Sequence, residues 1–290
     1  MNLMRFKKIY FLISLTFLIP GLISLLLFGL KPAIDFTGGS LLELHFLNQE
    51  KVDLKENSFA DSLSEFYEAS IVQSSGENKV IIKGKEISNQ EKDELLVKIN
   101  ELYGESEVLR FETVGPVLGA ELLKKTLIAV LLVAGIIAFY VWKQFDELKY
   151  GLCAVLAMLH DSFILIGAFS LFGHFLNVEV DVLFVTALLT TLSFSIHDTI
   201  IVYDRIRELK RKHPRSNLEE IANVAVLETL NRSINNSMTI IIMLLSLVVL
   251  GGDTIRWFAI ALLIGAITGT YSSTFAAVPL LLVIENRKTK

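Results

Sequence analysis

A single cysteine, Cys153, stands among 290 residues, so no disulfide can form within the chain. Its apolar neighbours mark a buried small side chain rather than a nucleophile. The net charge is only −4, and no segment joins a basic face to aromatic stacking positions, which excludes a nucleic-acid partner. His45 has no companion ligand, and no metal cluster, phosphate-binding glycine loop or activated nucleophile follows, which argues against an ATPase or a protease. Charged residues make up only 20% of the chain while apolar ones reach 52%, with a mean hydropathy of +0.55. The charges must therefore be gathered in particular places. They crowd into residues 47–110 and into a basic cluster within 204–232.

Between those regions lie six runs long enough to cross about 30 Å of hydrocarbon. The first, Ile9 to Leu30, follows Arg5, Lys7 and Lys8. It is longer than the apolar core of a signal peptide and no small-x-small cleavage site follows, so it reads as a retained anchor, with Pro20 as a possible kink. The others are expected at 123–142, 151–172, 182–203, 232–250 and 255–284. Lys143 and Lys149, then the cluster Arg205, Arg207, Lys210, Arg211, Lys212 and Arg215, then Arg287, Lys288 and Lys290, fall on one side. The opposite loops, His174 to Asp181 and Gly251 to Ile255, hold no Lys, and no Arg before Arg256. The positive-inside rule then puts both termini in the cytoplasm and residues 31–115 outside.

Residues 31–115 read as a small α+β domain. Leu41 to Phe46 alternates as a strand, Leu54 to Tyr67 has helical spacing, and Ser70–Gln73 and Val80–Lys83 form two strands joined at Ser75-Gly76-Glu77-Asn78. Ser88 as N-cap with Glu91 three residues on predicts a helix from there to Tyr103, and Val108 to Val114 supplies the last strand. The order βαββαβ is ferredoxin-like. The expected divisions are 1–30 for the tip and first span, 31–122 for the outer domain and its connection, and 123–290 for spans two to six.

The fourth span carries the costly residue. Asp198 is followed by Ile200, Ile201, Val202 and Tyr203, which leave it about 9 Å inside the helix boundary. A carboxylate at such a position costs about 2.5 to 3.5 kcal/mol near a helix centre, so it marks a functional site. The bland alternative is an acid reaching water beside Asp204 and Arg205. The fifth span is expected to extend back through Arg232, whose stripe with Asn235, Asn236, Thr239, Met243 and Ser246 recurs at three- and four-residue steps. Arg232 is the expected partner of Asp198, with simple snorkelling of Arg232 as the alternative. Thr191, Ser195 and Asp198 share a face, with Thr190 and His197 adjoining. His160 and Asp161 in the third span are either a relay or a structural pair. Gly265 and Gly269, with Ala261, Ser272 and Ser273, form a small-residue face for helix packing.

Several stretches taken together carry a resemblance: Asp35-Phe36-Thr37-Gly38-Gly39, Val114-Gly115-Pro116-Val117-Leu118-Gly119, Leu159-His160-Asp161, Asp198-Thr199-Ile200 with Asp204-Arg205-Ile206-Arg207-Glu208, and Gly269-Thr270-Tyr271-Ser272-Ser273. In this order they resemble the SecF family of protein-export membrane subunits, in the resistance-nodulation-division superfamily. The resemblance implies six spans with a SecD-like partner, and association with the SecYEG translocon, YajC, YidC and the translocating preprotein in the bacterial inner membrane. It implies no cofactor. The implied activity is late preprotein translocation driven by a proton or sodium gradient, with the family's membrane acid on Asp198 and its membrane arginine on Arg232. His197 stands where the family commonly has Asn, and a histidine there can titrate near neutral pH. The competing reading is a small-solute efflux transporter of the same superfamily, and a third is a scaffold whose membrane charges serve assembly.

Overall fold

The computed structural model describes residues 2–47, 59, 63, 66–74, 78–145 and 147–288. After a 3-10 turn, Leu3–Phe6, the chain runs through α1 (Lys7–Phe28), α2 (Ile34–Thr37), β1 (Gly39–Phe46), β2 (Ala69–Ser74), β3 (Lys79–Gly84), α3 (Asn89–Tyr103) and β4 (Ser106–Val114). Then come α4 (Pro116–Gln144), α5 (Leu148–Leu176), α6 (Val182–Lys212), α7 (Leu218–Leu250), α8 (Asp253–Ser272), a π-helical turn (Ser273–Ala277) and α9 (Val278–Lys288). Two compact units result: Pro32–Leu127, and Met1–Lys31 with Ile128–Lys290.

In the first of these units the strand order is β2-β3-β1-β4, with every neighbouring pair antiparallel. This is the ferredoxin-like order that the sequence pattern predicts. Alternation along β1 turns Leu42, Leu44 and Phe46 to one face, where Val80, Ile82, Leu95 and Ile99 meet them. The helix expected over Leu54–Tyr67 lies largely outside the described residues, but Phe59 and Leu63 from it are buried in the same cluster. The two glycines ahead of β1 are required by the backbone. Gly38 has φ 75° and Gly39 φ 120°, a region that side chains other than glycine rarely adopt. A Cβ on Gly39 would also lie 2.6 Å from the Gly84 carbonyl oxygen. Chain reversal into the central strand therefore depends on this pair.

Among the described residues six helical segments are long and apolar enough to span a membrane, Leu3–Phe28, Pro116–Gln144, Leu148–Leu176, Val182–Lys212, Leu218–Leu250 and Thr254–Glu285, and all but residues 116–127 of them belong to the second unit. Its centre is α5, α6 and α8, whereas the most apolar window of α4 has no buried residue. α1 crosses α5 where two glycines meet: a Cβ on Gly167 would sit 2.5 Å from the Gly21 Cα. Three residues further along both helices, Ser24 and Ser170 hydroxyls are 2.8 Å apart, and Ser170 donates to the Gly29 carbonyl at 2.7 Å. Small residues permit the approach, and hydroxyls satisfy each other inside it. α7 begins at Leu218, earlier than the expected 232–250, because Ile221, Ala222, Ala225 and Val226 pack into the core with Leu3 and Met4. At 33 residues it is about 50 Å long, well beyond the hydrocarbon thickness.

Helix α3 shows how local sequence sets an element. The backbone N–H of Ser88 donates to Glu91 Oε2 at 2.7 Å, while Ser88 Oγ accepts from the Glu91 N–H at 3.3 Å. Both bonds of a capping box are thus present. The Ser88 N–H and hydroxyl hold the Glu91 carboxyl below its usual range. Replacing Ser88 with Ala should cost the helix about 1 kcal/mol, read as faster amide exchange over its first turn in the full chain. A depressed carboxyl pKa contributes stability above its unfolded value and loses it as pH falls through the folded one. The gap between parent and variant should therefore be widest at neutral pH and close in acid; equal exchange at neutral pH would contradict the capping role.

Candidate functional site

Asp198 is 3% exposed and lies on one buried face of α6 with Thr191 and Ser195. Its Oδ2 accepts a short hydrogen bond from Ser233 Oγ on α7. Behind that contact Ser237 Oγ donates to the Ser233 carbonyl at 2.8 Å, and Thr270 Oγ1 on α8 lies 2.7 Å from Ser237 Oγ. Three helices are joined through one carboxylate and a short series of hydroxyls. On its open side Asp198 lines a cavity of about 400 Å³ shared with His197, Thr229, Arg232, Asn235 and Asn236.

Arg232 is exposed within the chain and, among the described residues, makes no ion pair with Asp198. The expected direct pairing is thus replaced here by a serine contact, for a geometric reason. Arg232 and Ser233 are consecutive, about 100° apart around the helix, so both cannot point at α6. Ser233 and Ser237 take the buried side, and the expected stripe of Asn235, Asn236, Thr239 and Met243 faces outward. His197 is likewise exposed while its neighbour Asp198 is buried. The cavity nevertheless holds the carboxylate, the guanidinium and the imidazole together.

A second acid lies on α5. Asp161 has no exposed surface; Oδ1 is 3.0 Å from His160 Nδ1, and Oδ2 accepts from Ser272 Oγ at 2.5 Å. Among the described residues, His160 Nε2 and Ser195 Oγ are buried without a hydrogen-bond partner. Gly265 and Gly269 set the spacing between α6 and α8. A Cβ on Gly265 would fall 2.0 Å from Thr191 Oγ1, and one on Gly269 3.1 Å from a Phe194 ring carbon. The sequence reasoning did not select Ser233, Ser237 or Thr270 for the site. The spacing of four between Ser233 and Ser237 was the available signal, overshadowed by the charged residue beside it.

A family model described as "Protein export membrane protein SecD/SecF, C-terminal" matches residues 95–287, and one described as "SecD/SecF GG Motif" matches residues 23–46. The chain belongs to the SecD/SecF family. It is 40% identical to the protein translocase subunit SecF of Thermobaculum terrenum, over 99% of this chain and 94% of that one. Against the protein translocase subunit SecDF of Bacillus subtilis it is 33% identical over 98% of its own length, which is 38% of that protein. The crystal structure of SecDF from Thermus thermophilus, a translocon-associated membrane protein, superposes with a TM-score of 0.87 at 30% identity, over 99% of this chain and 39% of that one. The chain is accordingly a multi-pass membrane protein of a protein-export family. Its GG motif is the Gly38–Gly39 reversal.

The α6–α8 contact can be tested directly. Gly265→Ala should lower the thermal midpoint of the detergent-solubilised chain by an amount equivalent to about 1 to 3 kcal/mol of overpacking. Adding Thr191→Ala should restore part of that loss, and Gly135→Ala, with nothing within 4 Å of its Cβ, should be neutral. An additive Gly265–Thr191 double variant would show that the two do not share one contact.

Proposed function

We propose that this chain, with a SecD partner, uses the transmembrane proton or sodium gradient to promote late translocation of preproteins across the bacterial cytoplasmic membrane through SecYEG. Asp198 carries the coupling: its protonation and deprotonation bias a two-state arrangement of α6, α7 and α8, with Arg232 pairing with it in one state and releasing it in the other. His197 adjoins the same path. The single observation that carries this reading is a buried carboxylate opening onto a cavity that also holds an arginine with no carboxylate partner among the described residues. A charge kept there in hydrocarbon has a cost that packing alone does not offset. The unburied window of α4 supports a partner helix in the membrane. Each charge crossing the full field can supply about 2.3 kcal/mol per 100 mV, enough to shift such an equilibrium substantially. Residues 31–115, placed outside by the positive-inside rule, would receive the motion and hold the emerging polypeptide, and the termini would be cytoplasmic.

The test is completion of preprotein translocation into vesicles holding the chain with SecD, with the gradient applied or collapsed. Asp198→Asn keeps size and polarity but cannot ionise. It should assemble normally and lose the gradient-dependent part of export, at least tenfold in rate. Gradient-driven export that survives unchanged would sink the reading.

A further inference from the structure

The coupling role given to Asp198 leaves a second buried acid unused. Asp161 has no exposed surface and sits on α5, whereas Asp198 sits on α6. Among the described residues no Lys or Arg comes within ion-pair distance of it, and its one ionisable partner is His160. The helices packed against α5 carry Tyr10 on α1, Asp198 and Tyr203 on α6, Tyr271 on α8 and Glu285 on α9. Each of the last four is already engaged: Asp198 with Ser233, Tyr203 with the Ala277 carbonyl, Tyr271 with the Tyr10 carbonyl and Glu285 with Lys149. Tyr10 donates its hydroxyl to the Leu3 carbonyl. The ionisable group bonded to Asp161 is His160, whose Nε2 is buried without a hydrogen-bond partner among the described residues. An imidazole with one nitrogen on a carboxylate and the other unpartnered is arranged to take a proton on one side and deliver it on the other.

We propose that Asp161 and His160 form a second proton-binding site, separate from Asp198, that sets how firmly Ser272 and the π-helical turn of the last span are held. This rests on the reading that the chain couples to a proton gradient. In the unprotonated state His160 carries its proton on Nδ1 and donates it to Asp161 Oδ1. A proton taken at Nε2 forms a new N–H bond there, and the Nδ1 proton passes to Oδ1. The imidazole ends neutral in its other tautomer, the carboxyl ends protonated, and the site changes from −1 to neutral. Ser272 Oγ then donates to a neutral acid instead of a carboxylate, a bond roughly half as strong.

The consequence falls on a place where the helix is already irregular. Ser272 is the last residue of α8, and the π turn Ser273–Ala277 follows directly. Such turns relax the hydrogen-bond ladder and recur at functional positions. Tyr203 holds its far end through the Ala277 carbonyl at 2.7 Å. Two residues before Ser272, Thr270 reaches Ser237, which bonds the carbonyl of the serine that grips Asp198. Both acids therefore hold the final turn of α8, one directly and one through α7. Loss of charge on Asp161 weakens the hold of α5 on the π turn while leaving the grip through α7 in place.

Infrared difference spectra between high and low pH, taken on the full chain with SecD in vesicles, provide the test. In an Asp198→Asn background a buried-carboxyl band should remain, disappear on adding Asp161→Asn, and titrate at a shifted pH when His160→Asn is added instead, since Asn keeps a donor near Nδ1 but takes up no proton. A band that persists without Asp161 overturns the proposal, as does a titration that His160→Asn leaves unmoved; the latter decides alone where Asp161→Asn fails to assemble. Export is not read here, so loss of the Asp198 coupling role and loss of this second site would be recognised separately.

Discussion

A carboxylate within an apolar bundle has to be either held by donors or neutralised, and the arrangement of α6, α7 and α8 follows from how that is met at Asp198. The donor is Ser233, a small side chain, so α7 must approach α6 closely. Ser237 and Thr270 carry the contact on to α8. Removing water from this side strengthens each bond in the series, and the same low dielectric makes a missing partner expensive. The cavity on the other side keeps Asp198 within reach of Arg232 and His197. The acid is therefore fixed to the bundle on one side and open to exchange on the other, the condition a coupling residue needs.

Glycine and serine make this geometry possible. Gly265 accommodates Thr191, Gly269 accommodates Phe194 and Ser195, and Gly21 meets Gly167 across α1 and α5. Without a hydrophobic driving force between helices in lipid, such close contacts and interhelical hydroxyl bonds supply much of the attraction. They also confine the helices to few arrangements, since a tightly packed interface yields by switching rather than by deforming continuously. Towards the other end of α5, Lys149 is nearly buried between Glu147 and Glu285, and Tyr150 and Tyr203 pack edge to face. These contacts tie α9 and α6 to the start of α5.

Much of the fold was legible in the chain because period and hydropathy report it directly. Alternation through Leu42, Leu44 and Phe46 marks β1, the Ser88–Glu91 spacing marks the start of α3, and six apolar runs mark the spans. The start of α7 was passed over because it is polar rather than apolar, although Asn217 caps it, accepting from the Glu219 N–H at 3.1 Å, and Glu219 and Glu220 occupy its first turn. Ile221 and Ala225 then pack in the same core cluster as Leu3 and Met4 of the N-terminal turn. Asp198 and Asp161 stood out because charge in an apolar run is rare. Their serine partners did not: a hydroxyl in a membrane helix usually bonds its own backbone four residues back, as Thr191 and Thr199 do. Which serine instead turns to an acid on another helix depends on helix rotation, and one residue's difference moved the contact from Arg232 to Ser233.

On the proposed function, the charge on Asp198 sets the positions of α6 and α7. Spin labels on Thr186 of α6 and Met243 of α7, both exposed, would report their separation in vesicles containing the SecD partner. Two distance populations whose ratio changes with pH are expected in the parent, and one pH-independent population in Asp198→Asn. The same pH-dependent pair of populations in both proteins would contradict it.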